Sequence, residues 1–224
     1  MSRACLVLGA MFAIAARGAA PAYTAAGIVN VSNYVAGPFA PGSVIAIFGT
    51  DLARSARELV AADIRDNLLP TELNYTQVFV SDSPAPLFYV SPTQINFVVP
   101  SKQAVGQMKI RVAREGLSGP EIIVPVLDGA PGLFDIGTGY AIVTHLDNSL
   151  VVPAAPAHAG EIVVVYATGM GKTAPNPATG EIPQYAAAIV NLGALKVTLA
   201  GTPVDPGRVI YAGLTPTSAG LYPA

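Results

Sequence analysis

Short apolar runs, broken by Gly, Pro, Asn and Asp, set the rhythm of this chain. Ser43–Phe48 (SVIAIF) is apolar almost without interruption, as expected of a strand buried within a sandwich. Gln77–Val80 alternates and runs into Ser81-Asp82-Ser83-Pro84, a hairpin turn. Leu87–Val90, Ile95–Val99, Lys109–Ala113 and Glu121–Val126 read as further strands. Turns recur every roughly 8–12 residues, the spacing of a sandwich or barrel. Asp128-Gly129-Ala130-Pro131-Gly132 breaks the pattern and marks a boundary. Beyond it Tyr140–Thr144, Leu150–Val152, Glu161–Tyr166, Leu195–Leu199 and Val209–Tyr211 are predicted strands. Residues 52–69 differ in texture. Leu52, Ala56, Leu59, Val60 and Ile64 fall at helical spacing among Arg54, Arg57, Glu58, Asp63, Arg65 and Asp66, which predicts a loop with a short amphipathic helix.

The chain also repeats itself. TQVFVSDSPAPLFYVSPTQINFVVP at 76–100 has the grammar of KVTLAGTPVDPGRVIYAGLTPTSAGLYP at 196–223. PGSVIAIFGTDLA at 41–53 likewise matches AGEIVVVYATGMG at 159–171. The copies lie roughly 120 residues apart, a domain-sized period. The pattern predicts an all-β protein of two tandem sandwiches, over 26–129 and 130–224. Val44, Ile47, Val163 and Val165 should point inward. The second copy halts at Gly220-Leu221-Tyr222-Pro223-Ala224, where its next matching strand should begin. It therefore reads as lacking its C-terminal strands, with an open edge able to pair with a partner strand or left by a broken gene product.

Composition narrows the class. Apolar residues make up 52% and charged residues 12%, with Gly 22 and Pro 20 punctuating the runs, so the 224-residue chain can bury a core. A net charge of −2 supplies no field for nucleic acid. Arg3, the apolar run from Ala4 to Ala16 and the small residues through Ala22 read as a secretory signal, taken as residues 1–25. That run is shorter than the ~20 residues a bilayer-spanning helix needs. No stable membrane span is expected after cleavage. Cys5, the only cysteine, falls inside the signal, so the mature chain is expected to lack disulfides.

Candidate chemistry is thin. Gly169-Met170-Gly171-Lys172-Thr173 echoes a phosphate loop, but Tyr166 stands where its first Gly should be, and Ala174-Pro175-Asn176-Pro177 cannot start the required helix. His145 and His158, the only histidines, read as surface-loop residues without a third ligand at metal spacing. No Ser lies in a nucleophile elbow. No catalytic, metal or cofactor residue is assigned. Phe48, Phe79, Phe88, Tyr89, Phe97, Tyr166 and Tyr211 fall on or beside strands and read as core. Tyr34, Tyr75 and Tyr185 lie in loops and are the candidate ligand contacts.

GIVNVSNY, PFAPGSVIAIFGTDLA, LPTEL, SPAPLFYVSPTQINFVVP, APGLF, PAHAGEIVVVYATGMG and VIYAGLTPTSAGLY together carry a resemblance. From about Gly27 to Tyr222 the chain resembles the Solibacter uncharacterised C-terminal domain family, found at the ends of secreted proteins of acidobacteria and their relatives. Its turn-and-strand grammar is also similar to the IPT/TIG type of immunoglobulin-like domain. The resemblance implies paired immunoglobulin-like sandwiches in an exported protein, and no activity. It departs from the family at the charged stretch 54–66 and at the early end. The expectation is a non-catalytic structural or interaction module, secreted, periplasmic or at the cell surface, whose partner is a protein or a glycan. The rival expectation is a carbohydrate-binding accessory module.

Overall fold

The computed structural model describes residues 18–135, 137 and 139–224. The n-region and apolar run of the predicted signal lie outside the described residues. Ten strands build the first half: β1 (Ala22–Asn30), β2 (Val44–Thr50), β3 (Arg57–Glu58), β4 (Thr76–Val80), β5 (Ser83–Pro84), β6 (Leu87–Val90), β7 (Gln94–Val98), β8 (Gly106–Arg114), β9 (Leu117–Ser118) and β10 (Ile122–Val126). One sheet has the order β1-β2-β7-β6-β3; the other is β10-β8-β4-β5, with β9 paired to β8. All these pairings are antiparallel.

Period-two alternation decides which residues meet between the sheets. In register, Ile45 faces Phe97 and Ile47 faces Ile95. These four, with Ile28, Leu87 and Val90, pack against Val78, Val80, Met108, Ile110, Val112 and Val124 from the other sheet. Burying each such side chain contributes about 1.5–3 kcal/mol, so this layer carries the fold. Tyr23 sews the layers at one end. Its phenol donates to the Pro120 carbonyl at 2.5 Å and accepts from the Val112 N–H at 2.8 Å. Burial pushes that phenol above its ordinary pKa. Core packing thus begins ahead of residue 26. Arg114, 4% exposed, ties the same end by donating to the carbonyls of Asp51 and Ala19.

The amphipathic helix predicted within 52–69 does not form. Leu52 and Ala53 are drawn into the sandwich core, while Leu59 packs on the sheet's outer side. Arg57 pairs with Val90 as edge strand β3, and its guanidinium reaches Asp63 at 2.6 Å. Only Ala61–Asp63 makes a helical turn, of the 3-10 kind, with Asp63 accepting from the Val60 N–H at 3.0 Å. Asp66 and Asn67 then take φ of 52° and 58°, outside helical geometry. The apolar positions serve two different packing layers, so their spacing misleads.

The second half holds β11 (Gly132–Leu133), β12 (Val143–His145), β13 (Val163–Thr168), β14 (Thr173–Ala174), β15 (Ala187–Ile189), β16 (Thr198–Leu199), β17 (Thr202–Pro203), β18 (Gly213–Leu214) and β19 (Tyr222–Pro223). β11 and β12 pair with one edge of β13 and β19 with the other, which repeats the order β1-β2-β7. Around this the strands are brief: β14-β15-β18 is a small sheet and β16-β17 a separate hairpin. Val209–Tyr211, predicted as a strand, instead follows a 3-10 turn at Pro206–Arg208, fixed by the Asp205 carboxylate accepting from the Gly207 N–H at 3.0 Å. The buried cluster here comprises Ala187, Ile189, Ala212, Leu214 and Tyr222. Val163 and Val165, expected inward, are only half-buried.

The halves meet on the outer face of the first sheet. Val44, Leu69 and Val98 are buried there with Phe88, Ile182 and Ala219 against them. Main-chain contacts reinforce the seam: the Leu69 N–H donates to Gly180 O at 2.9 Å and the Ile182 N–H to Asn67 O at 2.7 Å. The Tyr222 phenol donates to Gly171 O at 3.0 Å. Gly42, at φ +78°, leaves it room: a Cβ at residue 42 would lie 2.5 Å from the Tyr222 oxygen. Thr168, at the end of β13, accepts the buried Val44 N–H through its hydroxyl at 2.9 Å. Thr168→Val keeps the shape and removes that acceptor. It should lower the unfolding free energy by about 1–3 kcal/mol in urea, the cost of a stranded buried N–H, while Thr168→Ser loses less.

Candidate functional site

Two surface features of the second half stand out once its thin core is seen. The first is apolar. In an antiparallel pair, opposite residues share a face. Val143 lies opposite Val165, and His145 opposite Val163, so these four line one face of the β12–β13 ladder. Farther along the same face Ala167 lies opposite Tyr222, and both are buried. The buried core thus gives way along one strand to a half-covered valine stripe. Leu146, Leu150 and Ile162, in the adjoining segments, are exposed.

The second feature sits at the end of that stripe. Glu161 places one carboxylate oxygen 2.5 Å from His145 Nδ1. Its other oxygen accepts the His158 N–H at 2.8 Å and lies 3.4 Å from His158 Nδ1. His145 Nε2 lies 3.3 Å from the Ala155 carbonyl. Both His145 ring nitrogens therefore face acceptors and both are served best by carrying protons, the imidazolium form. The Glu161 hydrogen bond, then the Ala155 carbonyl, raise the His145 pKa above its ordinary value. His145, then the His158 N–H, hold Glu161 below its own. Asp147, which also faces His145, is lowered by the Ser149 hydroxyl and N–H. The sequence treats the two histidines as separate loop residues; the fold gathers them on one carboxylate. Glu161, two residues before a β-branched strand and three after His158, was the available signal.

The three candidate tyrosines have different neighbours and do not form one site. Tyr34 is 62% exposed, its ring 6.1 Å from that of Phe48. Tyr75 is 70% exposed and sits with Asn74 in a tight turn between Leu73 and Thr76, at φ 57°. It borders a hollow of about 340 Å³ with Arg54, Glu115 and Leu117. Tyr185 is half-buried against the second core and donates to Glu181 Oε1 at 3.2 Å. Of the seven aromatics expected in the core, Phe97 is fully buried. Phe48 is exposed, and the Phe79 ring lies under the Arg111 guanidinium at 4.5 Å. Tyr23, Phe39 and Tyr222 do the packing instead. Among the described residues no group of three or more His, Cys, Asp or Glu side chains is arranged to hold a metal. No helix among them is long and apolar enough to cross a membrane.

Residues 29–122 match the family model of the IPT/TIG domain. The matched segment runs from the end of β1 to the start of β10, so the match and the all-β architecture agree on an immunoglobulin-like fold for the first sandwich. No curated protein and no solved structure matches the chain.

The histidine–glutamate cluster generates a pH dependence with an unusual sign. A raised histidine contributes stability that is full below its unfolded pKa of about 6.5 and is lost as pH rises through the folded value. A lowered glutamate contributes stability that is present above about 4.5 and is lost as pH falls through the folded value. Together they favour mildly acid solution. The second half should melt at a higher temperature near pH 6 than near pH 8.5, and His145→Asn should remove most of that difference. Histidine ring signals followed by NMR should show His145 titrating above 6.5.

Proposed function

We propose that the chain is a non-catalytic, exported structural or interaction module that works at the cell envelope or outside the cell. It consists of two immunoglobulin-like modules of the Solibacter uncharacterised C-terminal domain type. The IPT/TIG match of the first half and the recurrence of the β1-β2-β7 order in β12-β13-β19 support this reading. The observation that carries it is the valine stripe of β12–β13, in which Val143, Val163 and Val165 stay half-covered on the ladder face that farther along holds the buried Ala167 and Tyr222. Contiguous apolar surface of this kind marks contact with another macromolecule. Its occupant is a protein partner at the cell surface.

Charge placed on the stripe tests the idea. Protein carrying Val163→Lys and Val165→Lys should lose a partner that the unaltered chain captures from envelope extracts, while the first sandwich keeps its unfolding transition. Equal capture by both proteins, or none by either, defeats the reading. Export is checked by intact mass. Because Tyr23 belongs to the core, the exported form should lack about 17–21 residues, a signal-sized segment. Mature protein that retains Cys5 contradicts export.

A second reading, a carbohydrate-binding accessory module, has one observation in its favour. Tyr75 is displayed at a turn beside the hollow formed with Arg54 and Glu115. An exposed ring next to charged groups suits a sugar face and its hydroxyls. A glycan array with saturable binding lost in Tyr75→Ala, and not in the stripe variant, selects this reading instead.

A further inference from the structure

A groove of about 770 Å³ opens where the segment leaving the first sandwich passes the second half. That size falls within the range of small-molecule sites. Met170, Ile189 and Leu195 give it apolar walls backed by the second core, and Leu127 closes the side nearest β10. Lys172 and Lys196 line it as well. They are two of the four lysines in the sequence, and neither has an ion-pair partner among the described residues. Asp128 is the one acidic residue of the lining.

These residues select a chemical class. Two ammonium groups against one carboxylate leave a single positive charge, which suits a monoanion better than a dianionic phosphate. The Gly169–Thr173 phrase contributes Lys172 but leads into β14 and Pro175 rather than a helix, so no helix N-terminus is present to cradle phosphate. None of the lining residues is aromatic, so a sugar ring has nothing to stack on. What remains is an apolar trough with a cationic lining.

We propose that this groove binds an aliphatic monocarboxylate, its alkyl chain against Met170, Ile189 and Leu195 and its carboxylate met by Lys172 and Lys196. Apolar burial supplies the attraction, and the lysines supply orientation and preference for a negative head group. This site is distinct from the valine stripe, and its ligand is independent of any partner held there.

Isothermal titration of the full chain with decanoate, kept below its micelle-forming concentration, tests the proposal. Saturable one-to-one binding is expected. It should weaken by about tenfold or more in the Lys172→Gln/Lys196→Gln variant, a difference of about 1.4 kcal/mol. Asp128→Asn should tighten it, because it removes the opposing charge. Decyltrimethylammonium, with the same chain and the opposite sign, should bind at least about tenfold more weakly than decanoate. Circular dichroism checks that each variant is folded. A variant that does not fold is replaced by 15N NMR of the unaltered chain, where decanoate must shift the amides of Met170, Lys172 and Lys196. No saturable decanoate binding, equal binding of the cation, or folded lysine variants that bind as tightly as the unaltered chain would each overturn the proposal.

Discussion

The structure depends on one strand being buried on both of its faces. In β2, Val44, Ile45, Ala46 and Ile47 are all buried. Ile45 and Ile47 look into the sandwich and require the second sheet. Val44 looks the other way and requires a cover that the first half cannot supply from its own sheets. Leu69 and Val98 share that need. An antiparallel sheet with one wet face would have placed polar residues at these outer positions. The second half is therefore held by an apolar demand written into the first.

Polar accounting follows from the same burial. Once Val44 is covered, its N–H has lost water and must find another acceptor. Thr168 supplies one from the end of β13. The residue that closes the second half's central strand thus completes the first half's central strand. Tyr222 works in the same direction, filling the second core with its ring and reaching Gly171 O with its phenol across the space that Gly42 leaves open. Burial raises the Tyr222 pKa well above its ordinary value, so the phenol stays a neutral donor. Packing and hydrogen bonding at the seam reinforce each other, and neither half would be shaped this way without the other.

Much of the first sandwich was legible in the sequence, because its strands obey a local rule. Gln77–Val80 alternates, and Ser43–Phe48 does not, and that contrast correctly separates a strand with one covered face from a strand with two. The misreadings have a common physical origin. At 52–69 helical spacing arose from residues packing into two separate layers, a tertiary fact that no window can resolve. At Val209–Tyr211 the β-branched residues were overruled by Asp205 and Pro206, which fix a turn immediately before them. The aromatics failed for a related reason: position beside a strand does not say which face a ring takes, so Phe48 went outward while Tyr23, inside the span taken as the signal, went inward. The histidine cluster needed a hairpin to bring residues 145, 158 and 161 together, and the chain gives that hairpin only a weak pattern.

β2 and β13 make the functional argument by contrast. Both are β-branched strands flanked by pairing on two sides. Across from β2 stand the nine-residue β8 and the five-residue β4 and β10, and its inward isoleucines are sealed. The second half's other sheet has strands of only two or three residues, and in β13 Ala167 is buried while Val163 and Val165 stay half-covered. The difference lies in what opposes the strand rather than in the strand itself. Valines suited to a core, placed where the core thins, retain an unmet drive to lose water. His145 and Glu161 bound the stripe with charge, so a partner that covers the valines must also accommodate, or neutralise, that pair. The same geometry that leaves Val163 and Val165 half-covered therefore sets what any surface laid against them would have to meet, an apolar stripe with a charged rim.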